Sequence, residues 1–171
     1  VAQKQCQRHQ SVDAAQLQRC LQNVEGKNTR QHGVCSFYVI LNARGIALRS
    51  ATNAELKIYF PEYMDAFGKI DGAFTLEVLK VSAIPSDITA LGAEGIKNIW
   101  YNVKLRGRGY SRANEIVSYA EKSVGLTDGT DAGREAVKWY AEQILKLDEQ
   151  LAVVESTLHE KCREIPCAEN I

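Results

Sequence analysis

The sequence predicts an all-α protein, a single elongated bundle of five or six helices spanning residues 1–171 with a long helix at its C-terminal end. Apolar residues recur at the three- and four-residue intervals of helices, and Ser, Pro and Gly stand where these helices would begin or end. The composition, 45% hydrophobic with 21 basic and 21 acidic residues, suits a globular core. The longest apolar run, Phe37 to Leu41, is far shorter than the roughly 20 residues of a membrane span.

The first residues predict a flexible opening followed by a short helix. Eight of the ten Gln fall within residues 1–31, and residues 1–10 are expected to lack regular structure. Ser11 is a suitable N-cap, and Gly26 is a suitable end, for a helix that reaches about Val24. Its apolar stripe is Leu17, Cys20, Leu21 and Val24.

The next segment, 33–50, admits two structures. Helical spacing favours a helix with Phe37, Ile40, Leu41, Arg44 and Leu48 on one face. A hairpin is the alternative, with its first strand at residues 39–41 and its turn at residues 42–45. Between Asn53 and Ala83 helical spacing continues through Phe67, Ile70, Phe74, Val78 and Val81, but Pro61, Gly68 and Gly72 divide this stretch into short pieces.

Three further helices complete the prediction. Ser86 caps a helix that ends near Lys104, with the stripe Ile88, Leu91, Ile96, Ile99, Trp100 and Val103. Ser111 opens a helix that Gly125 closes, with Ile116, Ala120 and Val124 inward. The last helix covers about 131–164 and has two series of apolar residues seven apart: Val137, Ile144, Leu151 and Leu158, and Tyr140, Leu147 and Val154.

The five cysteines lie near the two ends of the chain and predict disulfides that staple the bundle there: Cys6, Cys20, Cys35, Cys162 and Cys167. We expect at least one of the first three to pair with one of the last two, although the spacing leaves the pairing open. The odd cysteine is either buried or links two chains as a dimer. A zinc site is the alternative, since His32 and His159 each stand three residues before a cysteine, but no C-x-x-C occurs.

The cysteines and the start at Val1 instead of Met predict a processed, secreted protein. Catalysis is not expected, because none of the three histidines, His9, His32 and His159, lies in a turn that could present a nucleophile. His32 beside Cys35 is the best enzyme candidate, and oxidation of Cys35 would abolish it. Residues 128–131 resemble a calcium loop only loosely, and Asp131 is interpreted as a helix cap. No metal or cofactor is predicted.

A run of cations offers an anion- or partner-binding site: Lys97, Lys104, Arg106, Arg108 and Arg112, with Tyr110 available to stack on a ring. No acidic residue lies between Glu94 and Glu115, and arginines at a helix start suit an anion. The alternative is a solvated loop that pairs with acidic parts of the same chain. Nucleic acid is not expected as a partner, because the whole chain is neutral.

Two functions follow as hypotheses. The first is a secreted, non-enzymatic carrier that encloses an apolar, lipid-like small molecule between its helices, with the candidate ligand-binding residues Phe37, Phe67, Phe74, Trp100 and Tyr101. The alternative, which helical spacing favours for most of these aromatic residues, is that they fill the core and do not line a ligand site. The second is an extracellular protein that binds another protein through an outer helical face or the basic loop 104–112.

Overall fold

The computed structural model describes residues 29–68, 72–104 and 109–163, with side chains described from residue 33 to residue 160 of these ranges. Within them the chain is all-α, as predicted, with six helices. They are α1 (Thr29–Tyr59), α2 (Tyr63–Phe67), α3 (Ala73–Val81), α4 (Pro85–Asn102), α5 (Tyr110–Glu121) and α6 (Thr130–Arg163). The predicted opening 1–10 and helix 11–24 lie outside the described residues.

The chain divides into two compact units. Of the described residues, 29–44 and 147–163 belong to the first unit, and 45–68, 72–104 and 109–146 belong to the second. Helices α1 and α6 contribute residues to both units, and within each unit they contact each other.

In the first unit, the described parts of α1 and α6 meet through buried side chains and a hydrogen bond. Cys35, Tyr38 and Leu41 on α1 are buried, as are Leu147 and Val154 on α6. The Tyr38 hydroxyl donates a hydrogen bond to Glu155 Oε1 at 3.2 Å. Burial raises the pKa of the Tyr38 phenol, and the nearby Glu155 carboxylate raises it further.

In the second unit, all six helices contribute to one apolar core. Leu56, Phe60 and Tyr63 occupy its α1–α2 side, and the Tyr63 ring stacks on Phe67 with centroids 5.2 Å apart. Val137, Ala141 and Ile144 of α6 are completely buried. The core therefore draws on residues far apart in sequence.

Segment 33–50 is helical, which decides between the two predicted structures, and α1 continues to Tyr59. The predicted inward stripe is wrong in part: Phe37 and Ile40 are 49% and 62% exposed. Leu41 is buried as predicted, and Tyr38 and Leu56, which the prediction did not include, share its buried face. This part of α1 is apolar on several sides, so its hydrophobic pattern allows more than one rotation about the helix axis.

Other boundaries differ locally from the prediction. Ile84, not Ser86, is the N-cap of α4, because Pro85 takes the first helical position, where its missing N–H costs nothing. Gly109, not Ser111, precedes α5. Val124 was predicted inward but is 83% exposed, since α5 ends three residues earlier at Glu121.

Val81, predicted on the apolar stripe, is the last residue of α3 and is 45% exposed, whereas Leu76, Val78 and Leu79 are buried. Helix α6 matches its predicted range within one residue at each end.

Candidate partner-binding surface

The end of α4 and the start of α5 together form a basic, aromatic surface. We call Lys97, Tyr101, Lys104 and Tyr110 the basic–tyrosine surface. Lys97 and Tyr101 lie on one face of α4, since they are four residues apart. The Lys97 ammonium nitrogen lies 5.8 Å from the centroid of the Tyr110 ring on α5. This cation–π contact joins the two helices at the surface.

Buried residues on the adjacent face of α4 fix this surface in place. Ile96 and Trp100 are buried, and Trp100 Nε1 donates a hydrogen bond to the carbonyl oxygen of Phe74 at 2.9 Å. The Trp100 and Phe74 rings also meet edge to face, with centroids 5.7 Å apart. Because these buried contacts hold α4 against α3, Lys97 and Tyr101 lie on a helix whose position is fixed.

The surface is open to solvent and carries positive charge. Tyr101 and Tyr110 are 78% and 49% exposed, and both lysines are exposed. No acidic residue occurs in the sequence from residue 95 to residue 114. Large exposed aromatic rings are common at binding interfaces, where they bury much area and lose little conformational entropy. The arrangement is suited to holding a negatively charged chain.

The other predicted cations are placed differently. Arg112 is half-buried, and its guanidinium forms an ion pair with Glu115 at 2.5 Å, which reduces its positive charge toward solvent. Arg106 and Arg108 lie outside the described residues. Lys104 adopts a left-handed backbone conformation with φ 58°, and its N–H donates to the carbonyl oxygen of Tyr101 at 3.0 Å.

Three of the five predicted ligand-binding residues meet around one crevice. Phe67, Phe74 and Trp100 line it together with Thr75, Arg112 and Ile116, which the ligand prediction did not include. Its volume of about 10 Å³ has room for about one water molecule, whereas small-molecule pockets typically measure about 300–1,000 Å³. A lipid-like cargo could enter this crevice only if the helices around it separated.

The remaining two ligand candidates lie elsewhere. Phe37 is on the part of α1 that belongs to the other unit, and Tyr101 faces solvent in the basic–tyrosine surface.

The second unit also contains a carboxylate that joins distant parts of its fold. Glu62 accepts hydrogen bonds from the Ser123 hydroxyl at 2.6 Å and from the Val124 N–H at 3.1 Å. Partial burial raises the pKa of Glu62, but these hydrogen bonds outweigh burial and leave the pKa lowered. The Leu126 N–H donates to the carbonyl oxygen of Ile58 at 3.0 Å. The segment after α5 is thus fastened to the end of α1, a role for which the sequence gives no local signal.

The candidate catalytic and metal-binding residues are only partly described. Cys35 is 3% exposed and His159 is exposed. The side chain of His32, all of His9, and the sulfur atoms of the other four cysteines lie outside the described part, so the disulfide and zinc hypotheses stay predictions. Asp131 forms an ion pair with Arg134 at 2.5 Å, and Arg134 also contacts Asp87 on α4 at 3.0 Å. Among the described residues, no group of three or more His, Cys, Asp or Glu is placed to hold a metal ion.

Comparisons with protein-family models, with curated proteins and with solved structures found no match to this chain. Within the described ranges, no helix has both the length and the apolar character needed to cross a membrane.

Proposed function

We propose that the chain is a non-enzymatic binding module that holds a negatively charged macromolecular partner on the basic–tyrosine surface. The observation that supports this proposal is the Lys97–Tyr110 contact, which brings the cations and exposed rings of two helices together. The first candidate partner is an acidic segment of another extracellular protein. Its carboxylates would meet the lysines while its apolar groups cover the tyrosine rings.

Single-stranded nucleic acid is the second candidate, and the two exposed tyrosine rings beside cations favour it. Proteins that bind single strands combine positive charge along the backbone with aromatic rings on which bases stack. The neutral charge of the whole chain weighs against this candidate. The charge is distributed unevenly, however, and the charged residues in the stretch 95–114 are all basic.

Binding of two fluorescent probes distinguishes the candidates: a glutamate-rich peptide and a mixed-sequence single-stranded oligonucleotide. Fluorescence anisotropy at low and moderate salt gives each affinity. The variant Lys97→Gln/Lys104→Gln is expected to bind the recognised probe about tenfold more weakly, a change of about 1.4 kcal/mol. The matched control is Lys57→Gln/Lys146→Gln, which removes two exposed lysines elsewhere and is expected to leave affinity unchanged.

Substitution of the two tyrosines distinguishes the stacking of bases on their rings from simple charge attraction. Tyr101→Ala and Tyr110→Ala are each expected to cost about 1–3 kcal/mol of binding to the oligonucleotide if bases stack on these rings. Binding of the oligonucleotide alone would exclude the acidic protein segment. Equal loss in the surface and control variants, or no binding of either probe, would contradict the proposal.

A further inference from the structure

Helix α4 contains a break at Gly92. The backbone there has φ 67° and ψ 173°, a combination open essentially to glycine alone, and it separates residues 85–91 from residues 93–102. A Cβ atom built on Gly92 would meet no heavy atom within 4 Å. The glycine is therefore required by its backbone conformation and not by lack of space.

The two parts of α4 are anchored to different helices. In the first part, Asp87 accepts hydrogen bonds at 3.2 and 3.0 Å from the Arg134 side chain of α6. In the second part, Trp100 is hydrogen-bonded to α3 through the Phe74 carbonyl, and Lys97 lies over the Tyr110 ring of α5. The turn at Gly92 thus sets the direction of the second part relative to the first.

We propose that Gly92 is a positioning residue, whose turn directs residues 93–102 so that Lys97 and Tyr101 stand beside Tyr110. The inference rests on the proposed function, since it explains how the basic–tyrosine surface is assembled. An uninterrupted helix would continue along the axis of residues 85–91 and carry Lys97 away from Tyr110. The glycine acts through the surface residues and touches no ligand itself.

The Lys97–Tyr110 contact can be measured without any ligand. A methylene group that lies over an aromatic ring has an NMR signal shifted upfield, so the Lys97 ε-methylene protons report the contact. The variant Tyr110→Leu removes the aromatic ring, so the part of the shift that it abolishes is caused by Tyr110. We expect Gly92→Ala to abolish the shift, whereas Gly72→Ala retains it, because Gly72 has an ordinary φ of −86° and the new methyl group meets only Thr75 Oγ1 at 3.8 Å.

D-alanine at position 92, introduced by chemical ligation, adds the same methyl group but favours the glycine conformation. We expect it to keep the Lys97 shift and the probe affinity, while the affinity of Gly92→Ala falls to that of Lys97→Gln. A folded Gly92→Ala chain that keeps the shift, or a D-alanine chain that loses it, would overturn the inference. If Gly92→Ala does not fold, the Lys97 shift in the D-alanine chain alone tests the inference. If the unsubstituted chain binds neither probe, the proposed function fails, and the NMR result still tests Gly92.

Discussion

Glu62 shows how one carboxylate can stabilise a fold from a partly exposed position. Its oxygens accept hydrogen bonds from the Ser123 hydroxyl and the Val124 N–H, which hold the segment after α5 against the turn between α1 and α2. Hydrogen bonds to a charged acceptor are stronger than those between neutral groups, although solvent screens them here. This contact therefore makes the stability of the second unit depend on pH.

We expect Glu62→Gln to lower the free energy of unfolding by about 0.5–1 kcal/mol near neutral pH. The pKa of Glu62 is lowered in the folded chain, so its contribution is complete above the pKa of the unfolded chain and is lost as the pH falls through the folded-state pKa. Urea unfolding between pH 7 and pH 3 should show the difference from the unsubstituted chain shrinking on the acid side. Exposed Glu121→Gln is the control, and a difference that does not depend on pH would contradict this assignment.

Tyr38 makes a comparable contact in the other unit. Tyr38→Phe removes only the hydroxyl that donates to Glu155, and we expect it to destabilise by about 0.5–1 kcal/mol. Hydrogen exchange of the amides around Tyr38 measures the effect locally. Tyr140→Phe, which alters a half-buried tyrosine on α6 in the second unit, is the matched control. Unchanged exchange rates in Tyr38→Phe would show that the hydrogen bond contributes no stability.

At the scale of helices, the close approach of α6 to α1 in the second unit depends on a residue without a side chain. A Cβ atom built on Gly133 would lie 2.1 Å from Tyr59 Cε2, too close for two carbon atoms that are not bonded to each other. The Tyr59 ring would have to move if this position were substituted. Gly133 therefore determines how closely the two helices pack here.

We expect Gly133→Ala to lower the free energy of unfolding by about 1–3 kcal/mol through overpacking. Gly33→Ala is the matched control, because its Cβ meets nothing within 4 Å, and alanine at a helical position should stabilise by about 0.5–1 kcal/mol. Combining Gly133→Ala with Tyr59→Leu should restore part of the loss if the ring is the cause. Additive effects in chemical denaturation would contradict that explanation.

The helices differ in how far sequence alone predicts them. Helix α6 was predicted almost completely, because Val137, Ile144 and Val154 recur at helical intervals among charged residues, which leaves only one face to bury. Helix α1 was predicted as a helix but with Phe37 and Ile40 inward, since apolar residues surround that part of its axis. The prediction extended helix α5 too far. Val124 continues its apolar pattern, although the helix ends at Glu121.

The charges of the candidate surface are predictable from the sequence, but the way in which α4 and α5 bring them together is not. Lys97, Lys104 and the absence of acidic neighbours are visible in the sequence, as is Tyr110. That Lys97 lies over Tyr110 depends on the turn at Gly92 and on the anchoring of Trp100 to α3, which no local pattern reveals. The same limit applies to Glu62 and Ser123, which are 61 residues apart.

In the whole molecule the net charge is zero, but basic and acidic residues are concentrated in different stretches of the sequence. Residues 97–112 carry five basic and no acidic residues, whereas residues 113–171 carry six basic and twelve acidic residues. A negatively charged partner would be attracted to the first stretch and repelled by the second. Binding should therefore be both localised and sensitive to salt, since the screening length falls to about 8 Å at physiological ionic strength.

The most direct test of the central claim is an NMR titration of the isotope-labelled chain with the probe that binds. We expect amide signals to move mainly in residues 97–104 and 109–114, and we expect Lys97→Gln/Lys104→Gln to suppress these changes. Changes centred on α6, or on the exposed residues of α1, with residues 97–114 unaffected, would contradict the proposed surface.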